Sequence, residues 1–398
     1  MSDDERAARV ALSQLEGVGP ARLRWLMGER SAAMTLHGLR RGSLPIDDGA
    51  PPRGVNAALV ARWQAAARTV DAEAALARHR SSGIEVLVPG DPHWPFSSDP
   101  EPPSVLYVWG NPGSLHGRPR AAIVGTRRCT DLGRGIANDL GAELATAGVD
   151  VVSGLALGID GAAHAGTVGA CRVLTHQGAP CGLPIAVVAN GLDRVSPRFH
   201  RALTEQVASL GAVVSESPLG TNGDRWRFPA RNRLIAGLSD VVIVVESHAK
   251  GGALITVDEA IERQVPVMAV PGSIRSAASS GTNRLLVDGA VPLCSVADAL
   301  AVLGVGTQSS SQGVLFDDAS SVDTGTSGHS GSASDTPLQR SLLAELAVGS
   351  MSIDRLVAVS GHGLAEVMMA IQHLAVAGRV GQVGSTVSLS SEARRTPG

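Results

Sequence analysis

The chain has 398 residues, 44% of them hydrophobic and 18% charged, which is enough apolar material for roughly two or three globular units. Its formal net charge of −3 excludes a protein that coats nucleic acid with its whole surface, so any such contact must be local. No run of about 20 uncharged apolar residues exists to span a bilayer, and the N-terminus, MSDDERAARV, is charged where a signal peptide needs an apolar stretch; the expected location is the cytoplasm.

Residues 1–80 read as a helical domain, with apolar-periodic stretches from Val10 to Leu26 and from Val55 to His79. The first contains Leu15-Glu16-Gly17-Val18-Gly19-Pro20. That spacing suits a helix-hairpin-helix whose glycines allow a tight turn and let backbone N–H groups approach a phosphate, and it equally suits an ordinary helix-turn-helix packing unit.

From residue 81 to about 305 the pattern changes. Short apolar runs (Ile84 to Val88, Val105 to Trp109, Ala121 to Val124, Val149 to Val152, Ile185 to Ala189, Ala212 to Val214, Val241 to Val245 and Val267 to Val270) alternate with helical stretches. Such runs mark strands buried on both faces of a parallel sheet, and the expected fold is a doubly wound α/β domain. Residues 306–335, dominated by Ser, Gly, Asp and Thr, read as a flexible linker. Residues 336–392 then offer three short helices (Leu338 to Leu346, Ile353 to Val359, Leu364 to Ala377) and a hairpin around Gly384, the pattern of a winged helix. Its recognition-helix position carries His373 but neither Arg nor Lys, which favours a protein contact or weak DNA contact over sequence-specific groove reading.

In open α/β sheets ligands gather beyond the carboxyl ends of the strands, so the loops there are the candidates for chemistry. Gly125-Thr126-Arg127-Arg128 joins a backbone able to close on a phosphate to bidentate donors. Ser153-Gly154-Leu155-Ala156-Leu157-Gly158-Ile159-Asp160 places glycines where a strand passes into a helix, with His164 one turn beyond Asp160. A Ser/Asp/His triad is disfavoured, because Ser153 lacks the Gly-x-Ser-x-Gly context of a nucleophile elbow; Asp160 is expected to cap or orient the loop and His164 to be a satisfied structural residue. Asn190-Gly191-Leu192-Asp193-Arg194 adds a glycine turn and a cation, with Arg198 close behind.

The densest patch is Arg225, Arg227, Arg231 and Arg233, interleaved with Trp226, Phe228 and Asn232. Guanidinium groups pair with phosphates while a ring stacks on an unpaired base, so this composition suits a single strand. Pro229 is expected to interrupt any helix here, with a new one starting at Arg231. Lys250-Gly251-Gly252 repeats the anion-binding arrangement before another helix. Cys129, Cys171, Cys181 and Cys294 show no CxxC or zinc-finger spacing, so neither a metal site nor a disulfide framework is expected, and no cofactor motif is present.

These residues resemble the bacterial DNA-processing protein A (DprA, or Smf) family. The likeness runs through Val124 to Arg127, Ser153 to Ala156 with Gly158 to Asp160 and His164, Asn190 to Asp193, Ser215-Glu216, Phe228 to Arg233 with Ile235 to Ser239, Gly252 to Thr256 and Val270 to Gly272. The resemblance implies a SAM-like helical N-terminal domain, a Rossmann-like central domain and a C-terminal winged helix. It implies a non-enzymatic role: binding and protecting incoming single-stranded DNA in natural transformation, helping to load the RecA recombinase, and working as a homodimer. Carried over by position, Arg127, Arg231, Asn232 and Lys250 belong to a strand-binding pocket flanked by Arg194 and Arg198. The expected DNA-binding set is Gly125, Thr126, Arg127, Arg128, Ser153, Gly154, Asn190, Gly191, Arg194, Arg198, Phe228, Arg231, Asn232, Arg233, Lys250, Gly251 and Gly252. Two departures stand out: family members often have Ser at the position of Gly251 and Tyr at that of Ser196. The stretch from Gly169 to Pro184 is also longer than usual. The competing reading is a nucleotide-processing enzyme of phosphoribohydrolase type, but its Pro-Gly-Gly-x-Gly-Thr loop is not reproduced at Gly251 to Thr256. A dinucleotide oxidoreductase is also disfavoured, since Gly125 to Arg128 does not supply Gly-x-Gly-x-x-Gly.

Overall fold

The computed structural model describes residues 2–43, 50–305, 337–348 and 351–360, together with 362, 367–368, 370–371, 374, 379–383 and 386–389. The chain forms two compact units, 1–314 and 315–398. The linker expected at 306–335 lies outside the described residues, as does most of the stretch expected as a recognition helix, His373 included.

The first unit opens with five helices: α1 (Asp3–Ser13), α2 (Pro20–Met27), α3 (Ala32–Arg40), α4 (Ala57–Thr69) and α5 (Ala72–Ser81). The two apolar-periodic stretches are each broken in the middle. Gly17, at φ 71°, and Gly19 separate α1 from α2, and Asp71 caps α5 by accepting from the Ala74 N–H, which ends α4 at Thr69. Helix α3 was not expected; Ser31 caps it, and Ala32, Leu36 and Leu39 bury its apolar face.

The strands are β1 (Ile84–Leu87), β2 (Leu106–Gly110), β3 (Arg120–Val124), β4 (Asp150–Ser153), β5 (Pro184–Val187), β6 (Ala212–Ser215), β7 (Val241–Val244), β8 (Val267–Ala269) and β9 (Val291–Pro292). They form one sheet in the order β1-β2-β6-β5-β4-β3-β7-β8-β9. From β6 to β9 every pairing is parallel, whereas β1 and β2 are an antiparallel edge. Helices α6 (Asp131–Thr146), α7 (Ile159–His176), α8 (Arg201–Leu210), α9 (Arg227–Gly237), α10 (Ala253–Glu262), α11 (Ser280–Val287) and α12 (Val296–Val302) complete the unit.

Strand period assigns each side chain to a face. Ala121, Ile123, Val241 and Ile243 enter one apolar cluster, while Ala122, Val124, Val242 and Val244 enter another on the opposite side. The N-terminal helices pack on the edge containing β1, β2 and β6, where Trp63, Leu12, Leu26 and Leu39 join Val86, Tyr107 and Val213. Tyr107, the single tyrosine, is committed to this interface: its hydroxyl lies 2.7 Å from Ser13 Oγ and its ring stacks on His79 at 4.8 Å. The longer connection from Gly169 to Pro184 is accounted for by the end of α7 and by Cys171 and Cys181, which fill a small buried cluster with Ala145.

Chain order decides where the sheet splits. Strands β3, β4, β5 and β6 progress to one side, and the chain then crosses back to place β7 against the other side of β3. The crevice at the carboxyl ends of β3 and β7 is therefore the topological switch point.

The second unit contains α13 (Pro337–Val348), α14 (Ile353–Ser360) and a three-stranded antiparallel sheet of β10 (Met351–Ser352), β11 (Val380–Val383) and β12 (Thr386–Leu389) in the order β10-β12-β11. Leu342, Leu346, Leu356, Ile371, Leu374 and Val387 form its core.

Candidate nucleic-acid interface

A cavity of about 740 Å³ opens at the switch point, between the loop after β3 and the loop after β7. Among its walls are Gly125 to Arg128, Ala156, Asp160, Phe228, Arg231, Asn232, His248, Gly251, Gly252 and Thr256. Three helices begin around it, and none has a side-chain cap: α7 starts after Gly158, α9 after Trp226 and α10 after Gly252. Their first turns carry partial positive charge, although several of their N–H groups already donate to backbone carbonyls: Ile159 to Thr126 at 3.3 Å, Gly161 to Ala156 at 3.0 Å, Arg227 to Asp224 at 2.9 Å and Leu254 to Gly251 at 3.1 Å. Helix α6 is different. Thr130 Oγ1 accepts from the Gly133 N–H, and the buried Glu246 carboxylate accepts from the Thr130 N–H at 2.9 Å and hydroxyl at 2.6 Å. Glu246, which the sequence reading did not single out, thus fixes the loop that carries Arg127.

Two glycines let that loop close. A Cβ on Gly125 would lie 2.5 Å from Ile159 Cγ1 and 2.8 Å from the Glu246 carbonyl. Gly158 has φ 83° and leaves no room for a Cβ against the Thr126 carbonyl and the Arg127 backbone. The Gly158→Ala variant is expected to lose about 1–2 kcal/mol from the left-handed conformation alone, plus the clash, measurable as a lower thermal midpoint.

On that platform Arg127 and Arg128 are exposed. The Arg127 guanidinium carbon sits 4.7 Å above the centroid of the Phe228 ring, a cation–π pair at the cavity mouth. The Asn232 amide donates to the Gly252 carbonyl at 3.4 Å, tying α9 to the start of α10. Pro229 does not interrupt this helix: α9 begins at Arg227, so the proline occupies the first turn, where a missing N–H costs nothing.

Arg231 is only 6% exposed. Its guanidinium donates to the Gly154 carbonyl at 3.0 Å, to the Val187 carbonyl, and to Asn232 Oδ1 at 3.3 Å. It faces Asp160 across Gly154, whose hypothetical Cβ would lie 2.5 Å from that carboxylate and 2.6 Å from the guanidinium. Burial pushes the Asp160 carboxyl up, opposed by the charge of Arg231 and by the N–H groups of Ala156 and Gly154. Burial likewise lowers Arg231 to about 10, opposed by Asp160, so the guanidinium is charged at neutral pH.

Other expected residues fall elsewhere. Ser153 Oγ is buried and donates to the Ile123 carbonyl at 2.6 Å, and Asn190 is buried and donates to Gly191 and Arg194 carbonyls. Gly191 is buried within the same turn. Arg233 turns away from the cavity into an ion pair with the buried Glu216, and donates to the Glu101 carbonyl at 2.7 Å. Lys250 is exposed on the β7–α10 loop without lining the cavity, and Arg194 and Arg198 are exposed on the segment after β5. Arg225 is exposed, while Arg227 stacks on Trp226 at 4.3 Å. His164 is fully buried. It is not hydrogen-bonded as a satisfied structural histidine is: among the described residues neither ring nitrogen has a close partner, and the Ser153 backbone is the nearby polar group. Burial pushes its imidazole down to about 4.

The glycine turn at the N-terminus is covered. Arg22 donates to the Gly17 carbonyl at 2.8 Å, and the Trp226 ring lies on Gly19. No group of three or more metal-ligating side chains occurs among the described residues, and none of their helices is long and apolar enough to cross a membrane.

A family model described as DNA recombination-mediator protein A matches residues 85–304, the part that builds this cavity. The chain belongs to the DNA recombination-mediator protein A family. A second model, for the DprA winged helix domain, matches residues 329–384. Among family members, the chain is 32% identical over 404 residues to Protein Smf of Synechocystis sp., covering 96% of this chain and 98% of that one. It is 37% identical over 225 residues to the DNA processing protein DprA of Bacillus subtilis, covering 56% and 72% of the two chains. The X-ray structure of DNA processing protein A (DprA) from Streptococcus pneumoniae matches with a TM-score of 0.57 and 27% identity, over 75% of this chain and 98% of that one.

Proposed function

We propose that the chain is a DNA-processing protein that binds single-stranded DNA in the cavity between β3 and β7, without catalysing a reaction. The observation that carries this reading is the exposed Arg127 stacked on Phe228 where three uncapped helix starts converge. The helix starts and the guanidinium suit a phosphate, and the ring suits an unpaired base. Arg127, Arg128, Phe228, Asn232, Gly251 and Gly252 are the contact set, with Lys250 as a rim cation. Arg231 and Asp160 shape the walls, while Ser153, Gly154 and Asn190 support the loops behind them. Family membership supports the further roles of protecting the strand and passing it to the RecA recombinase, as a homodimer in the cytoplasm. In the same reading residues 1–80 serve as the helical domain, 81–305 as the binding domain, 306–335 as the linker and 336–392 as the winged helix.

Fluorescence anisotropy with labelled single-stranded and duplex oligonucleotides at several salt concentrations tests it. Single strands should bind more tightly. Arg127→Ala should weaken that binding and flatten the log–log salt slope by up to about 0.7, the counterion share of one phosphate on a single strand, with no change in thermal midpoint. Equal affinity for duplex, or a variant indistinguishable from wild type, sinks the assignment.

A further inference from the structure

The segment between β5 and α8 has no part in the cavity wall, yet it is fastened beside it. His200 Nδ1 lies 2.8 Å from the Leu155 carbonyl, and the same imidazole covers Gly161. Leu155 precedes Ala156, a cavity-wall residue. The Thr204 hydroxyl donates to the His200 carbonyl at 2.7 Å, so the turn Arg198–His200 is held from both sides.

From this anchored turn the Phe199 side chain projects with 92% exposure. Scattered exposed apolar residues are ordinary, but this one has a particular setting. Arg198 and Arg201 flank it in sequence and are exposed, as is Arg194; of the two acids nearest in sequence, each six residues away, Asp193 lies 3.6 Å from Arg194 and Glu205 is exposed on α8. Leu157, on the loop that His200 holds, is also 46% exposed. An accessible ring among guanidinium groups is the composition that single-stranded nucleic acid recognises, and it offers nothing to a paired base.

We propose that Phe199 is a second stacking platform, taking a base of the strand as it leaves the cavity, with Arg198 and Arg201 holding the flanking phosphates. This rests on the cavity being the primary strand-binding site. It extends the path along the carboxyl edge of the sheet from β3 toward β5.

The test uses the full-length chain and oligothymidylates long enough to run past the cavity, with anisotropy as the readout. Phe199→Ala should weaken binding roughly ten-fold while leaving the salt slope unchanged, because stacking is lost and no phosphate contact is. Phe199→Trp should restore it. On an abasic oligonucleotide of equal length, wild type and Phe199→Ala should bind alike. If Phe199→Ala matches wild type on thymidylates while Arg127→Ala is weakened, the platform is refuted and the cavity reading survives. If neither variant differs from wild type, both fall. A Phe199→Ala variant with intact DNA affinity but altered sedimentation mass places the ring in a contact between copies and overturns the proposal.

Discussion

Arg231→Ala should destabilise the fold by about 3–5 kcal/mol, a larger loss than a phosphate-contacting arginine causes on its own. The guanidinium donates to carbonyls at the ends of two strands and, of the two cations acting on the buried Asp160, has the larger effect, Arg127 being the other. Removing it leaves two acceptors and a carboxylate without their donor at the inner wall of the cavity. Differential scanning calorimetry should show a midpoint lower by roughly 5–10 °C. Arg231→Lys should recover only part of this, since one ammonium cannot reproduce the fork. Arg127→Ala is the comparison, because that side chain is exposed and its loss should cost far less stability. If Arg231→Ala melts like wild type and flattens the salt slope, Arg231 is instead a phosphate contact.

Acid should expose His164. Its imidazole is held near 4 in the folded chain by burial, against about 6.5 when unfolded. Between those values the unfolded chain takes up a proton that the folded chain refuses, so the stabilisation present above pH 6.5 is lost as pH falls toward 4 and below, by about 3 kcal/mol. Buried carboxyls act with the opposite sign: Asp150, pushed up to about 6 by burial, and Asp160 and Glu216, also raised by burial, bind protons more readily when folded. The comparison of denaturant-derived stability from pH 7.5 to 4 for wild type and His164→Leu isolates the histidine. The wild type should lose about 3 kcal/mol more than the variant over that range. Parallel curves would show that the ring ionises freely.

The sheet was legible because buried strands leave short apolar runs: eight of the nine strands fall on such runs, but β1 and β2, expected as parallel and buried on both faces, form an antiparallel edge with Glu85 exposed on β1. The ninth, Val291–Pro292, is two residues long and exposed, so no run marks it. The loops at the carboxyl edge were legible from glycine and arginine content. Which arginines face the cavity was not. Reading Pro229 as an interruption displaced the start of α9 by four residues, and with it the faces on which Arg231 and Arg233 lie. Glu246 and Asp160 also escaped a site role, because their importance comes from partners more than 70 residues away at Thr130 and Arg231.

Arg231 and Arg233 stand two positions apart on α9 and are anchored in opposite directions, one to the ends of β4 and β5, the other to Glu216 and Glu101. The helix cannot roll about its axis without breaking both attachments. Phe228 and Asn232 ride on the same helix, so their positions are set before any ligand arrives. If the strand binds as proposed, α9 needs no ordering on its arrival, and little interaction energy is diverted to organising that wall. Binding should resemble insertion into a rigid mould, with association governed by encounter and by the flexibility of the DNA itself.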